Sequence, residues 1–259
     1  MMLLTVDVGN TNIAFGFMKN KKVVASYRLI TQTPRTSDEY VMCLDSFCKT
    51  GGIKSKDVED IIISSVVPKI MYALTSGIIK FFGKEPMIIG PGIKTGIELH
   101  VENPKEVGAD RIVDCVAAYN IHKRSCMIVD FGTATTFDYV SDKGEFRHTV
   151  IAPGLGISAN ALTSQTAKLP EIEIQKPASI LGKNTITGMQ AGVVYGYIGL
   201  VEYIIKTMKK ELNDPDCYVI ATGGLGKVIT NETDEIDEYD PDIAYKGMQI
   251  IYSKNKTKK

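Results

Sequence analysis

The sequence predicts a duplicated α/β fold in which two related halves each carry a mixed sheet flanked by helices. Short apolar strands alternate with amphipathic helices along the chain, which is typical of this class. A buried strand ends in an Asp-x-Gly turn at residues 7–9, and the same pattern returns at residues 130–132. Because each turn leads into a strand, a polar turn and another strand, the repeat indicates an internal duplication. The two halves are predicted to span 1–113 and 114–259.

The first half begins with a meander of three strands, predicted at Leu3–Val8, Asn12–Met18 and Val23–Ile30. Apolar periodicity and helix start signals then predict five further elements. These are a helix capped by Ser37 that runs toward Lys49, a strand at Ile61–Val67, a helix from Pro68 to about Phe82, a short strand at Met87–Ile89 and a linking helix at Gly108–Ile121.

The second half repeats the meander and ends in helices, with a glycine turn at 223–226. Its predicted strands are Ser125–Asp130, Thr135–Val140, Glu145–Ile151 and Cys217–Thr222, and its predicted helices are Ile157–Lys168, Thr185–Leu212 and a last one from about Asp242. The acidic run 232–242 is interpreted as a solvated loop with a short strand.

Composition is that of a globular protein without a strong electrostatic bias. The 259 residues are 44% hydrophobic and 23% charged, and the formal net charge is zero. We therefore expect no nucleic-acid or membrane partner, and the basic end at 254–259 is interpreted as a solvated terminus. The apolar stretch Ala191–Ile205 contains Glu202 and falls short of the ~20 residues of a membrane span. Five scattered cysteines without a C-x-x-C pair, and no signal peptide, predict a cytoplasmic protein with reduced thiols.

The first Asp-x-Gly turn has the features of a phosphate-binding turn. Gly9 permits a tight turn in which backbone N–H groups face an anion. The Asp7 carboxylate repels phosphate unless a cation lies between them, so its presence predicts Mg²⁺. The alternative interpretation of the same residues is an ordinary hairpin with Asp and Asn as turn residues.

The second turn strengthens the phosphate interpretation, because two similar turns in related halves are unexpected on structural grounds alone. Threonines in residues 130–136 can donate to phosphate oxygens while Asp130 holds a cation, although threonine is also common in strands. A Gly-Gly turn follows the strand Cys217–Thr222. Two phosphate turns followed by a glycine turn is the arrangement of the actin-like, sugar-kinase and chaperone ATPase superfamily. The chain contains no G-x-x-x-x-G-K-[ST] loop, which excludes a P-loop enzyme.

Between the two turns, Asp110 and Arg111 begin the linking helix. A kinase that acts on an alcohol needs a carboxylate to accept the hydroxyl proton and a cation to hold an anionic substrate. These two residues supply both groups. The alternative is that Asp110 only favours the helix N-terminus and pairs with Arg111.

Four motifs in order, at residues 7–12, 108–111, 130–136 and 182–185, resemble type III pantothenate kinase over nearly the whole chain. The resemblance implies ATP-dependent phosphorylation of the primary hydroxyl of pantothenate, the first step of coenzyme A biosynthesis. It also implies Mg²⁺ with ATP, a monovalent cation (K⁺ or NH₄⁺), and a homodimer in which the helix around Ala191–Tyr203 finds a partner surface.

The resemblance also implies roles for individual residues. Asp110 would be the proton acceptor and Asp130 would bind potassium. ATP would be bound by Asp7, Val8, Gly9, Asn10, Thr11, Asn12, Ile13, Ala14 and Thr133. Pantothenate would be bound by Val101, Gly108, Ala109, Asp110, Arg111 and Thr185. Val101 stands where family members often have tyrosine, which removes one hydroxyl contact, and Thr185 is alternatively an N-cap of the helix after Asn184.

Two other functions remain open from the sequence. A non-catalytic regulatory relative of the same family would keep the fold without the chemistry. Against this, intact carboxylates at Asp7, Asp110 and Asp130 cost desolvation that a degenerate relative has no reason to retain. A kinase of another small alcohol, such as a sugar, is the second alternative, but sugar-binding and zinc-binding signatures are missing.

Overall fold

The computed structural model describes residues 2–256, which fall into two compact units. The first unit comprises the described parts of 1–121 and 242–259, and the second comprises 122–241. This division differs from the halves expected at 1–113 and 114–259. Nearly all of the linking helix stays with the first unit, and the C-terminal helix returns to that unit.

Strands and helices alternate as the sequence predicts. The strands are β1 (Met2–Val8), β2 (Asn12–Lys19), β3 (Lys22–Ile30), β4 (Val58–Ser65), β5 (Met87–Ile88), β6 (Glu98–Leu99), β7 (Cys126–Phe131), β8 (Ala134–Val140), β9 (Glu145–Pro153), β10 (Tyr218–Thr222) and β11 (Glu238–Tyr239). The α-helices are α1 (Ser37–Thr50), α2 (Pro68–Phe82), α3 (Ala109–His122), α4 (Leu155–Ser164), α5 (Thr185–Glu211), α6 (Gly226–Thr230) and α7 (Ile243–Asn255). Short 3₁₀ turns lie at Ser55–Asp57 and Pro104–Glu106.

The two units share one sheet topology, which confirms the duplicated mixed-sheet fold. The strand order is β3-β2-β1-β4-β5 in the first unit, and five strands of the second unit follow the corresponding order β9-β8-β7-β10-β11. The central strands β1 and β7 are each antiparallel to the strand that follows them and parallel to β4 and β10, respectively. The duplicated turns therefore lie at the carboxyl end of the central strand in each unit.

The two turns are not identical, because the second is one residue shorter. In the first unit Val8 pairs with Ile13, and the Gly9 N–H donates to Asn12 O (3.0 Å). In the second unit Phe131 pairs with Thr135, and the Gly132 N–H donates to Ala134 O (3.1 Å). An alignment of the two motifs without a gap therefore pairs structurally non-equivalent residues after the turn.

In the first unit, apolar residues are buried on both faces of the sheet. One face, which carries Phe15 and Phe17, packs against α1 and α2, and Leu44 of α1 is buried in the same core. The opposite face packs against α3 and α7, where Met248 and Val113 are fully buried. Because helices cover both faces, six of the seven residues of β1 are buried, including the polar Thr5, and Asp7 is partly buried.

The second unit buries its sheet against α4, α5 and α6. Tyr197 on α5 is 4% exposed, and its hydroxyl is hydrogen-bonded to Pro153 O (2.8 Å) and to Thr135 Oγ1 (2.5 Å). These bonds tie the long helix to β8 and β9, directly below the second turn. No helix within residues 2–256 has the length and hydropathy required to cross a membrane.

The observed ends of two helices, α1 and α4, differ from the predicted ones. Thr36, not Ser37, is the N-cap of α1, since its hydroxyl accepts from the Glu39 N–H and the Glu39 carboxylate accepts from the Thr36 N–H. The Ser37 hydroxyl instead accepts from Lys80 Nζ (2.8 Å). Helix α4 ends at Ser164, short of the predicted Lys168.

We expect Gly247→Ala to destabilise the protein by about 1–3 kcal/mol, because α7 approaches α3 so closely that a Cβ at residue 247 would overlap the Val113 carbonyl. Gly156→Ala on α4 is the control, since a Cβ there meets no atom within 4 Å and glycine is unfavourable inside a helix. Urea unfolding of both variants measures the difference. A Gly247→Ala protein as stable as the wild type would contradict the close α3–α7 contact.

Candidate functional site

Asp7 lies at the carboxyl end of β1, where it pairs with Ala14 on β2 and Ser64 on β4. Its Oδ1 atom is buried and has no well-formed hydrogen bond to residues 2–256, although the Ser64 hydroxyl lies close to the carboxylate. A buried carboxylate oxygen without a donor is costly, and such atoms commonly mark a site completed by a ligand or an ion.

The turn after Asp7 is braced from the end of β3. The Thr31 hydroxyl donates to Gly9 O (2.7 Å), and the Thr31 N–H donates to Thr11 O (2.9 Å). Residues 10–12 are exposed at the tip, whereas Val8 and Ile13 are fully buried in the core. Any contact that Val8 and Ile13 make with a nucleotide is therefore through the backbone, and their side chains anchor the turn.

Asp110 lies in the first turn of α3, and its Oδ1 accepts from the Arg111 N–H (2.8 Å). A Cβ at Gly108 would overlap this same carboxylate oxygen and would lie 3.3 Å from Val66 Cγ1. Glycine at position 108 therefore leaves the space that the Asp110 carboxylate occupies. Residues 108–111 are all partly buried.

The two carboxylates of the first unit influence each other. Burial first, and the negative charge of Asp110 second, raise the pKa of Asp7 to about 7, even though the nearby Ser64 hydroxyl acts in the opposite direction. Burial and a like charge both disfavour the ionised form. A cation at this position would remove both penalties, so the donor set fits a divalent metal ion held partly by phosphates and water.

Tyr245 belongs to this site although the sequence analysis did not identify it. It lies on α7, and a Cβ at Gly16 would be only 2.7 Å from its Cδ1 atom. The pKa of the Tyr245 hydroxyl is raised to about 12, mainly by burial; the charge of Arg28 acts against this increase, and the charge of Asp7 contributes to it. No local pattern connects Tyr245 with Asp7, since only the packing of α7 on the sheet brings them together.

In the second unit, Asp130 occupies the position that Asp7 has in the first. It pairs with Thr136 and Thr222. Gly223 has φ of +92°, and a Cβ there would lie 2.6 Å from both Asp130 Oδ1 and Phe131 O. A carboxylate oxygen and a carbonyl oxygen therefore converge against a residue that must be glycine.

The threonines of the second turn have different environments. Thr133 is exposed at the tip, and its carbonyl packs so closely on Gly154, the N-cap of α4, that a Cβ would not fit there. Thr135 is fully buried and bound to Tyr197. Thr136 donates to Asp138 Oδ2 (3.2 Å). Thr133 is thus the threonine in this turn that is most accessible to a ligand.

Two further residues predicted to bind substrate, Val101 and Thr185, belong to other secondary-structure elements than the two turns. Val101 is partly buried just after β6 in the first unit. Thr185 is exposed at the first position of α5 in the second unit. Asn184 is the N-cap, since its side chain accepts from the Thr187 N–H (2.9 Å), so the alternative of Thr185 as the cap is wrong.

Comparison of the sequence with known proteins identifies one family that matches most of its length. The model of the type III pantothenate kinase family matches residues 3–207. A type III pantothenate kinase of Agathobacter rectalis is 51% identical over 257 residues, which is 99% of each chain. One of Bifidobacterium longum subsp. infantis is 47% identical over 254 residues, covering 98% of this chain and 99% of the relative.

Solved structures with low sequence identity share the fold. A conserved Baf family protein of Campylobacter jejuni, described as a transcriptional activator, has a TM-score of 0.61 at 21% identity and covers 97% of this chain and 98% of its own. MreB 5 of Spiroplasma citri, solved with AMPPNP, has a TM-score of 0.57 at 9% identity, with coverage of 98% and 96%. These likenesses confirm the actin-like fold class. Because the family model spans most of the chain and the curated relatives match over nearly its whole length, the chain belongs to the type III pantothenate kinase family.

Proposed function

We propose that this chain transfers the γ-phosphoryl group of ATP to the primary hydroxyl of pantothenate, giving 4'-phosphopantothenate, the first step of coenzyme A biosynthesis. The observation that carries the proposal is the Asp7–Asp110 carboxylate pair, within a chain that is 51% identical to a type III pantothenate kinase over 99% of both lengths. The five cysteines are free thiols, in keeping with a cytoplasmic reaction.

The first turn is the proposed site for the ATP phosphates. Residues 10–12 are exposed while Thr31 fixes the backbone at Gly9 and Thr11, so the turn is ordered before a nucleotide arrives. Within residues 2–256, no group of three acidic, histidine or cysteine side chains surrounds a common point. A metal ion at Asp7 would therefore take its other ligands from phosphate oxygens and water, as Mg²⁺ commonly does in kinases. When bound, Mg²⁺ neutralises charge on the phosphates.

Asp110 is the proposed acceptor for the hydroxyl proton. The pantothenate oxygen forms a bond to the γ-phosphorus as the bond from that phosphorus to the β,γ-bridging oxygen breaks, and the hydroxyl proton passes to the Asp110 carboxylate. The Arg111 N–H and the space left by Gly108 hold this carboxylate in place. The Arg111 guanidinium is suited to the carboxylate of pantothenate.

The pantothenate site is proposed to include Ala109, Val101 and Thr185 as well. Val101 is partly buried and has no polar side-chain atom, so it offers an apolar contact where relatives often have a tyrosine. Thr185 is exposed and its hydroxyl is not needed as the helix cap, because Asn184 has that role.

The second turn is the proposed monovalent-cation site. Asp130 Oδ1 and Phe131 O converge at Gly223, and carboxylate and carbonyl oxygens are suitable ligands for K⁺ or NH₄⁺. Thr133, at the exposed tip of the same turn, is the proposed contact to ATP. The binding of AMPPNP by MreB 5 supports nucleotide binding in this fold class.

A homodimer is proposed through one face of α5. Gly188, Gly192, Gly196 and Gly199 fall on one side of the helix at spacings of four, four and three residues. In the described part of the chain, no atom beyond the adjacent backbone of α5 lies within 4 Å of a Cβ placed at any of the four. Tyr203 continues this face and is 72% exposed. A strip of small residues allows a second backbone to approach closely, and the same strip on a second copy would make an isologous contact.

Release of ADP should depend on pantothenate. Asp110→Asn should lower kcat by about 10²–10⁴-fold, because the pantothenate hydroxyl loses the group that accepts its proton. The affinity for ATP, measured by calorimetry, should change little. Glu106→Gln, an exposed change just before α3, is the control and should retain activity. ADP release without pantothenate would contradict the substrate, and full activity in Asp110→Asn would contradict the role of Asp110.

The rate should be higher in potassium than in sodium, and Gly223→Ala should reduce the potassium-activated rate by up to about a hundredfold, because a Cβ displaces the Asp130 and Phe131 oxygens. Gly224→Ala is a matched control, since a Cβ at that neighbouring glycine meets no atom within 4 Å. Potassium titrations of all three proteins measure the effect. Equal rates in both salts would remove the cation role of Asp130.

Gly196→Leu should convert the dimer to monomers, weakening association by more than about 2 kcal/mol, because a bulky side chain separates the two helices. Light scattering coupled to size-exclusion chromatography measures the mass. Lys49→Leu on α1 is the control for added surface hydrophobicity, since Lys49 is 75% exposed and lies in the other unit. A wild-type monomer, or a dimeric Gly196→Leu protein, would contradict the proposed interface.

A further inference from the structure

Three buried oxygen atoms of the first unit lack a well-formed hydrogen bond to any of residues 2–256. They are Asp7 Oδ1, Ser64 Oγ and the Tyr245 hydroxyl. Ser64 is fully buried and Tyr245 is 3% exposed. A buried polar atom without a partner costs free energy, so each one requires an explanation.

The three atoms belong to the same end of the sheet. Ser64 is paired with Asp7 in the parallel register of β1 and β4. The Tyr245 ring packs on Gly16, which is opposite Thr5, and Thr5 and Asp7 point to the same face of β1 because they are two residues apart. The charges of Arg28, Asp7 and Asp242 all act on the Tyr245 hydroxyl, so the hydroxyl lies within reach of Asp7. An acidic oxygen and two hydroxyls are therefore grouped where β1 ends.

Packing alone does not explain the Tyr245 hydroxyl. The ring fills the space above Gly16, and a phenylalanine would fill it equally well. Tyr252, two turns later on α7, shows the ordinary arrangement, since its hydroxyl is hydrogen-bonded to the Asp60 carboxylate. In the free protein, the hydroxyl of Tyr245 thus costs stability without a compensating bond, which points to a role in a bound state.

We propose that Tyr245 is a positioning residue for the hydrated Mg²⁺ of the nucleotide complex, and that its hydroxyl, together with Ser64, hydrogen-bonds water that the ion brings to Asp7. This inference rests on the proposed function, which puts Mg²⁺ and ATP at the first turn. Mg²⁺ loses its water reluctantly and is held by few carboxylates. A buried water requires two to four polar partners, and these three atoms supply that number.

The test is Tyr245→Phe, in which only the hydroxyl is removed. With EDTA and no nucleotide, its melting temperature should equal that of the wild type or exceed it by about 2 °C, because a buried unsatisfied group is lost. In Mg²⁺, its dissociation constant for AMPPNP, measured by calorimetry, should rise about tenfold. In EDTA, the two proteins should bind AMPPNP equally. Ser64→Ala should change the Mg²⁺-dependent affinity in the same direction.

Tyr252→Phe is the matched control on the same helix. It breaks the bond to Asp60, so its melting temperature should fall, while its affinity for Mg²⁺-AMPPNP should remain that of the wild type. The inference is overturned if Tyr245→Phe binds Mg²⁺-AMPPNP as the wild type does, or if its melting temperature falls as that of Tyr252→Phe does.

The result for Tyr245 can be distinguished from the result of the test of the proposed function. Dependence of turnover on pantothenate tests the function, whereas Mg²⁺-dependent AMPPNP binding tests Tyr245 without any acceptor substrate. A wild-type protein that binds AMPPNP equally with and without Mg²⁺ would overturn the inference whatever the substrate is.

Discussion

The charge interaction between Asp7 and Asp110 is the constraint on which the candidate site of the first unit depends. Burial and the second carboxylate raise the pKa of Asp7 to about 7 from its ordinary value of 3.8. Between these two pH values the native state holds a proton that the unfolded chain has released, so the stability that Asp7 contributes falls as pH rises through this range. Above about pH 7, Asp7 is ionised in both states, and the full free-energy cost of its buried charge is present. The fold tolerates this cost at neutral pH because strand and helix packing fix both residues.

Close packing around β1 provides that rigidity. The strand is hydrogen-bonded on both sides, and helices cover both faces of its sheet. Two glycines allow the covering helix α7 to approach, since Gly16 accepts the Tyr245 ring and Gly247 contacts the Val113 carbonyl. Gly108 then leaves space for the Asp110 carboxylate. Small residues thus bring polar groups together in a region that the apolar core makes rigid.

Much of the fold was predictable because its signals are local. Apolar periodicity located the meanders and the long helices, and the repeated Asp-x-Gly pattern predicted the shared topology of the two sheets. Features set by distant contacts were not predictable. The one-residue difference between the turns appears only in the strand register. The role proposed for Tyr245 depends on α7 returning to the first unit, and the Ser37 hydroxyl, predicted to cap α1, instead accepts a hydrogen bond from Lys80, which is distant in sequence.

The two related turns differ in the charges around them, which bears on the different cations proposed for them. At the first turn, Asp7 lies near the second carboxylate of Asp110, so the local charge suits a divalent ion. At the second turn, the oxygens that converge on Gly223 are one from the Asp130 carboxylate and one from the neutral Phe131 carbonyl. That smaller negative charge suits a monovalent ion, because desolvating a divalent one requires more compensation. The two different cation sites proposed for this repeated turn therefore agree with the difference between the neighbours of its two copies.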